Sequence, residues 1–140
     1  FVNWPEADSA RVFTISLLGP TSIEGPLLEI AEKRTVAGRK LEVNRLRNLG
    51  ELGFAHVLFV PTQQSDSAAV ALRRIAGTNI LAIGDAPGMG QRGMAINFVV
   101  IDDNLKFEIN QNALERAGLG ASSQLLKLAI HVADSEAPGR

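Results

Sequence analysis

Residues 79–110, NILAIGDAPGMGQRGMAINFVVIDDNLKFEIN, decide the fold class of this sequence. The apolar run at 79–84 is typical of a parallel strand that is buried on both faces. Residues 94–101 and 105–110 show a period of two on either side of an Asp-Asp-Asn turn, which predicts an antiparallel hairpin. The glycine-rich residues 84–93 therefore predict a loop that carries the chain from a buried strand into a hairpin.

This loop contains GMGQRG at residues 88–93, which has the G-x-G-x-x-G spacing of a dinucleotide-binding turn. Such a turn must open a helix, because the helix N-terminus supplies amide donors to the pyrophosphate. An acidic residue should also follow about 20 residues later to bind the ribose. Here the glycines lead into a strand pattern, and Asp102 and Asp103 come too early and occupy a turn. The sequence therefore predicts no dinucleotide and no other cofactor.

The rest of the chain alternates strand and helix patterns. Strand patterns occupy 11–19, 34–46 with a turn at Ala37-Gly38, and 56–60. One helix follows a cap at Thr21 or Ser22, and a second begins at Ser65, with Ala69, Leu72, Arg73 and Ala76 along one face, and ends at Gly77.

These patterns predict a single α/β domain over residues 1–140. Its sheet is mixed and mostly parallel, flanked by helices, with a C-terminal antiparallel hairpin and two closing helices. Residues 133–140 form a polar tail.

The composition of the chain argues against several classes of protein. Lys and Arg number 14 against 15 Asp and Glu, a net charge of −1, which argues against a nucleic-acid partner. The absence of cysteine excludes disulfides and thiolate catalysis. No apolar run reaches the roughly 18 residues of a membrane span, so direct membrane insertion is not expected. The sequence opens at Phe1 without an initiator Met, and we expect an upstream segment to have been removed.

No catalytic or metal-binding pattern stands out. His56 heads an apolar strand and His131 lies in the last helix pattern, and neither has a second ligand at metal spacing. There is no G-x-S-x-G elbow to present a serine and no phosphate-binding P-loop. The sequence therefore predicts no enzyme and no metal.

The glycine-rich loop nevertheless offers candidate binding residues. Gly84 and Asp85 lie past the carboxyl end of a parallel strand, where open α/β sheets place their sites. Gly88 lies in the same loop, and Arg92 could bind an anion there. A purely structural loop, with Arg92 in a salt bridge or in solvent, is the competing interpretation.

The hairpin carries a second candidate cluster. With Asp103 and Asn104 as a two-residue turn, Asn97 lies opposite Asn110 and Val99 lies opposite Glu108. The apolar residues share the other face: Ile96, Phe98, Val100, Phe107 and Ile109. Asn97, Glu108 and Asn110 would then form a polar cluster at the open end. The hypothesis is that this cluster binds the hairpin to the final helices through side-chain-to-backbone bonds, with ligand contact as the alternative.

Two helices are predicted to close the chain. The first uses Asn110 as its cap and Gly118 as its stop, and the second starts from Ser122. The second helix is predicted to be apolar on most of its circumference, with Leu126 and Ile130 forming one of its stripes. Such a helix is either central to the core or covered by a partner.

Several segments together resemble the YfiR family of exported bacterial regulatory domains. They are FVNWP (1–5), RTVAGRKLEV (34–43), HVLFV (56–60), GDAPGMGQRGMAINFV (84–99), LKFEIN (105–110) and AGLGASSQLLKLA (117–129). Met89 stands where the family often has Phe, and Arg92 replaces the first Gly of a common pair. Ala55 stands where familiar members often carry Cys, so redox sensing through disulfides is not carried over. The resemblance further implies that the chain begins partway through the family's first helix, so we expect that helix to be truncated at its N-terminus.

The resemblance implies a non-catalytic periplasmic domain that binds the periplasmic region of a membrane-anchored diguanylate cyclase and represses it. It further implies an outer-membrane lipoprotein partner, a homodimer, and an effect on cyclic di-GMP and biofilm formation. The final helix and the region of Trp4 are the surfaces expected to bind partners. A small-molecule sensor, with a nucleotide or amino acid bound by residues 84–93, is the alternative function.

Overall fold

The computed structural model describes residues 2–3, 12–21, 24–33, 35–36 and 39–133. The strands are β1 Val2–Asn3, β2 Val12–Leu18, β3 Thr35–Val36, β4 Arg39–Leu46, β5 Val57–Val60, β6 Leu81–Gly84, β7 Ile96–Ile101, β8 Asn104–Asn110, β9 Gly120–Ala121 and β10 Ile130–Val132. The α-helices are α1 Glu24–Lys33, α2 Ala68–Ile75, α3 Gln111–Arg116 and α4 Ser123–Leu128. Short 3-10 helices cover Leu49–Glu51 and Thr62–Ser67.

Eight of the strands form one mixed sheet in the order β10-β8-β7-β6-β5-β2-β4-β3, and β1 pairs with β9 separately. The pairings from β4 through β2, β5 and β6 to β7 are parallel, whereas β7 and β8 form an antiparallel hairpin. The predicted fold class is confirmed: α/β, with a mostly parallel mixed sheet and a hairpin that follows the fourth central strand.

The core lies on both faces of this sheet because β5 and β6 are apolar throughout. In β5, Leu58 and Val60 pack into a cluster with Ala71 and Ile75 of α2, and Val57 packs into a second cluster on the other face. That second cluster includes the buried part of α3, and α1 and α4 contribute partly buried side chains to it. The sheet is therefore covered on both faces, as parallel sheets require.

The buried face of α2 differs from the prediction. The helix begins at Ala68, after the 3-10 turn, and it buries Ala68, Ala71 and Ile75, whereas Ala69, Arg73 and Ala76 are exposed. A 3-10 helix has about 3.0 residues per turn and an α-helix about 3.6, so the 3-10 turn rotates the buried face relative to that of an α-helix started at Ser65. The predicted stop at Gly77 is confirmed, with φ of +80°.

The hairpin has the predicted faces but a different register. Its two-residue turn is Asp102-Asp103, with φ of 51° and 64°, and not Asp103-Asn104. A type I′ turn needs positive φ at both central residues, a conformation that Asp tolerates better than most residues. Asn97 therefore lies opposite Glu108, not Asn110. The shift is by two residues, so no side chain changes face.

The predicted final helix is also wrong in part. Ser122 caps α4, accepting from the Leu125 N–H at 3.2 Å, but the helix ends at Leu128. The chain then extends, and Ile130–Val132 pair in parallel with residues 108–110 of β8. The exposed edge of β8 offers backbone bonds to two β-branched residues, and this pairing overrides the helical periodicity.

A surface ion pair shapes the turn after β4. The Arg47 backbone N–H donates to Glu51 Oε1 at 2.6 Å, and the Arg47 guanidinium donates to Oε2 at 2.9 Å. These bonds lower the pKa of the Glu51 carboxyl below its usual range, and the backbone bond has the larger effect, followed by the side-chain bond. A lowered folded-state pKa gives stability at pH values above the unfolded pKa, and this stability is lost as the pH falls through the folded value.

We expect a carbon-13 NMR titration of Glu51 to show a midpoint below that of a free glutamate. In Arg47→Ala the midpoint should rise only part of the way, because the backbone amide still donates. A wild-type midpoint at the ordinary glutamate value would contradict this account.

Candidate functional site

The segment between β6 and β7, residues 85–95, is called the glycine loop here. It is a series of turns in which the Arg92 N–H donates to the Gly88 carbonyl and the Gly93 N–H to the Gly90 carbonyl, both at 3.2 Å. Gly88 and Gly93 have φ of +79° and +117°, values that side chains rarely adopt. The loop enters a strand and not a helix, so the helix terminus that a dinucleotide requires does not follow it.

The loop is anchored in the core and at the end of β6. Met89 and Met94 are both buried, and they pack in the cluster that covers α2. At Gly84 a Cβ would lie 3.0 Å from Asn97 Oδ1 and 3.3 Å from Met94 Cγ. Gly84 therefore allows β6 to pack closely against β7, which is a structural reason for this glycine.

Asn97 is attached to the glycine loop by a side-chain hydrogen bond. Its side chain is fully buried, and Nδ2 donates to the Ala86 carbonyl at 2.9 Å and to Glu108 Oε1 at 3.0 Å. These two acceptors fix the orientation of the amide, since a flipped amide would place Oδ1 next to two other acceptor oxygens. The buried Oδ1 then faces Gly84 and has no hydrogen-bond partner among the described residues.

Asn110 provides a second attachment of the same kind. It is fully buried, and its Nδ2 donates to the Gly90 carbonyl at 2.9 Å. Its Oδ1 accepts from the Ala113 N–H at 3.1 Å, which is the predicted cap of α3. The hypothesis that the polar cluster reaches a closing helix holds for Asn110. The bonds from Asn97 and Asn110 to the glycine loop were not predicted, because the pattern gives no distance between loop and hairpin.

Asp85 lies at the carboxyl end of β6, as predicted. The Thr62 hydroxyl donates to Asp85 Oδ1 at 2.8 Å, and its oxygen also lies 3.2 Å from the Asp85 carbonyl oxygen. Asp85 therefore joins the segments that follow two neighbouring parallel strands, β5 and β6.

A groove with a volume of about 790 Å³ opens between these strand ends and the hairpin. It is lined by Phe59, Asp85, Pro87, Gly88, Phe98, Val99, Val100, Ile101, Leu105 and Glu108. Three predicted site residues, Asp85, Gly88 and Glu108, come together here. Arg92 does not: it lines a separate cavity of about 410 Å³, with Arg116 and residues of α2 and α3.

Residues 98–107 form the outer part of the hairpin and are called the hairpin arm here. Val100 and Leu105 are 70% and 71% exposed, and Ile101 is also exposed. The prediction that Val100 lies on a core surface is therefore wrong. The signal that could have identified the arm is length, because the strand pattern at 94–101 is longer than the apolar run at 79–84 that precedes the glycine loop.

The other predicted partner contacts lie apart from the groove. Leu126 and Ile130 belong to different elements, α4 and β10, and both are half-buried, with Leu126 packed against the core. They form no continuous helical stripe. Trp4 lies outside the described residues.

His56 is a buried structural residue at the start of β5. The Thr14 N–H donates to its Nδ1 at 3.0 Å, and Arg39 Nη1 lies 3.2 Å from Nε2. The ring stacks on Phe13 at a centroid distance of 4.5 Å, and Phe54 meets its edge at 4.9 Å. Among the described residues, no group of three or more acidic or histidine side chains could hold a metal.

The YfiR/HmsC-like family model matches residues 1–130. No curated protein matches the chain at a significant level. Of the helices described here, none is both long and apolar enough to cross a membrane.

Proposed function

Because the chain belongs to the YfiR/HmsC-like family, we propose that it binds the periplasmic region of a membrane-anchored diguanylate cyclase and represses it. The family is a regulatory, non-catalytic one that acts in the periplasm on diguanylate cyclases. Under this proposal, release of the repressor raises cyclic di-GMP and promotes biofilm formation. An outer-membrane lipoprotein that sequesters the chain, and a homodimer, belong to the same proposal.

The exposed hairpin arm supports a protein-binding function. Val100 and Leu105 present apolar side chains to solvent beside an apolar groove, an arrangement typical of protein-binding surfaces. The near-neutral charge of the chain, −1, is also consistent with recognition that is not driven by net charge.

The proposal is tested with the purified chain and the purified periplasmic region of the cyclase. We expect calorimetry to detect a complex, with about 800 Å² buried on each partner. In cells, deletion of the gene should raise cyclic di-GMP, and a cyclase that lacks its periplasmic region should no longer respond. No binding and unchanged cyclic di-GMP would together reject the proposal.

A small-molecule sensor is the second candidate, because the groove has the size of a ligand site. A ligand at 100 times its dissociation constant should add about 2.7 kcal/mol to the free energy of unfolding. A thermal-shift screen with nucleotides and amino acids therefore separates the two candidates. If no compound shifts the melting temperature, the small-molecule sensor is rejected.

A further inference from the structure

The hairpin arm projects beyond the neighbouring strands. β5 ends at Val60, which pairs with Gly84, and Gly84 pairs with Asn97. β7 then continues through Phe98, Val99, Val100 and Ile101, a length of about 13 Å at strand spacing. Within residues 39–133 no strand pairs with these four residues on the side where β6 ended.

The backbone of this edge is available for pairing. The residues that flank a two-residue hairpin turn, Ile101 and Asn104, exchange backbone bonds, and bonded and non-bonded pairs then alternate. Val99 and Ile101 therefore direct their amides towards β8. The Val100 N–H and C=O point to the open side.

Among the described residues, this edge shows none of the features that usually protect exposed strands. Such edges carry lysine, proline, a bulge or a covering segment. The segment FVVI at 98–101 has no charged residue and no proline. By contrast, β8 carries Lys106, and part of its outer edge is covered by β10. An unprotected apolar edge is a template for an added strand.

The groove beside this edge has a defined charge. Its walls are mostly apolar, and its charged side chains are Asp85 and Glu108, with neither Lys nor Arg among the described lining residues. The bonds to Thr62 and Asn97 engage one oxygen of each carboxylate, Asp85 Oδ1 and Glu108 Oε1. A basic group is therefore the charge that complements this groove.

We propose that an extended segment of a protein partner adds as a strand to the open edge of β7 at residues 98–101. Its apolar side chains lie on Phe59, Phe98 and Val100, and a Lys or Arg side chain contacts Asp85 and Glu108. The identity of the partner rests on the proposed function, whereas the edge and its preference for a basic, apolar strand rest on the geometry alone.

Two synthetic peptides test the edge directly with the full chain. The probes are acetyl-Lys-Val-Thr-Val-Thr-amide and the same peptide with Glu in place of Lys. In NMR titrations we expect the Lys peptide to shift the amide signals of residues 98–101, with an affinity at least fivefold above that of the Glu peptide. Shifts by neither peptide, or equal affinities, would overturn the inference.

Three variants test the same edge against the cyclase region. Val100→Pro removes the outward amide while the bonds to β8 remain, and it should weaken binding by at least 30-fold. The double variant Asp85→Asn, Glu108→Gln keeps both acceptor oxygens without the charge and should weaken binding about tenfold. Val70→Ser is the matched control, since Val70 is 48% exposed on α2 and lies outside the groove lining, and it should change binding less than twofold.

The outcomes separate this inference from the proposed function. If the wild-type chain does not bind the cyclase region but the Lys peptide does bind the edge, the proposed function fails and the inference stands. If the wild type binds and Val100→Pro binds equally well, the partner docks elsewhere and the inference is wrong. If the Val100 amide becomes protected from hydrogen exchange as the concentration of the chain alone rises, the edge pairs with a second copy of the chain. That result would also overturn the inference.

Discussion

Replacement of Asn110 by Ala should lower the free energy of unfolding by about 2–4 kcal/mol. The side chain caps α3, and loss of a cap costs about 0.5–2 kcal/mol. It also donates to the buried Gly90 carbonyl, and an acceptor left without a partner costs about 1–3 kcal/mol more. For a domain of this size the melting temperature should fall by roughly 10 °C.

Thermal and denaturant unfolding of three variants measure this effect. Asn110→Ser can keep the cap but not the bond to Gly90, so its stability should fall between those of the wild type and Asn110→Ala. Asn112→Ala is the matched control, because Asn112 is exposed two positions further along, and its effect should stay within about 0.5 kcal/mol. Equal stability of Asn110→Ala and Asn112→Ala would show that the attachment of the glycine loop carries no stability.

Replacement of His56 by Ala should cost about 3–4 kcal/mol of unfolding free energy. Removal of a ring that is only 1% exposed leaves a cavity between Phe13 and Phe54, and loss of a large buried side chain costs about 3–5 kcal/mol. The Thr14 N–H also loses its acceptor. The loss should lie in the lower half of that range, because the Phe54 side chain is largely exposed and can move into the space.

Two further variants separate the ring from the hydrogen bond. His56→Asn places an oxygen near the position of Nδ1 and can restore the bond from Thr14, whereas His56→Phe keeps the stacked ring without an acceptor. Each should be more stable than His56→Ala. His131→Ala is the control, since His131 is exposed on an edge strand, and it should cost less than about 1 kcal/mol. If all three His56 variants have the same melting temperature, neither the stacked ring nor the hydrogen bond explains the burial of this residue.

The shape of the groove depends on two buried asparagines. Asn97 and Asn110 bind the glycine loop, and the loop contributes Pro87 and Gly88 to the groove, which Glu108 also lines. The arm that forms the opposite wall is the outer part of the same hairpin. One hairpin therefore provides both the attachment of the loop and the proposed edge for a partner.

Local patterns were sufficient for several features of this fold. The caps at Asn110 and Ser122, the stop at Gly118 with φ of +72°, and the two faces of the hairpin follow from neighbours within a few residues. Each depends on interactions that a short segment makes with itself. The fold class and the resemblance to the family could be predicted for the same reason, since both depend on the order of such segments.

The sequence by itself determined that a glycine-rich loop follows a buried strand and enters a β-hairpin, because side-chain periodicity and glycine φ preferences are local properties. Only the tertiary structure decided that Ile130–Val132 form a strand, since that pairing requires the edge of β8 to lie alongside. The tertiary structure likewise brought Asp85 to Glu108 and placed Arg92 in another cavity. Distances between segments that are far apart in the chain arise from packing of the two cores, and a linear pattern does not contain them.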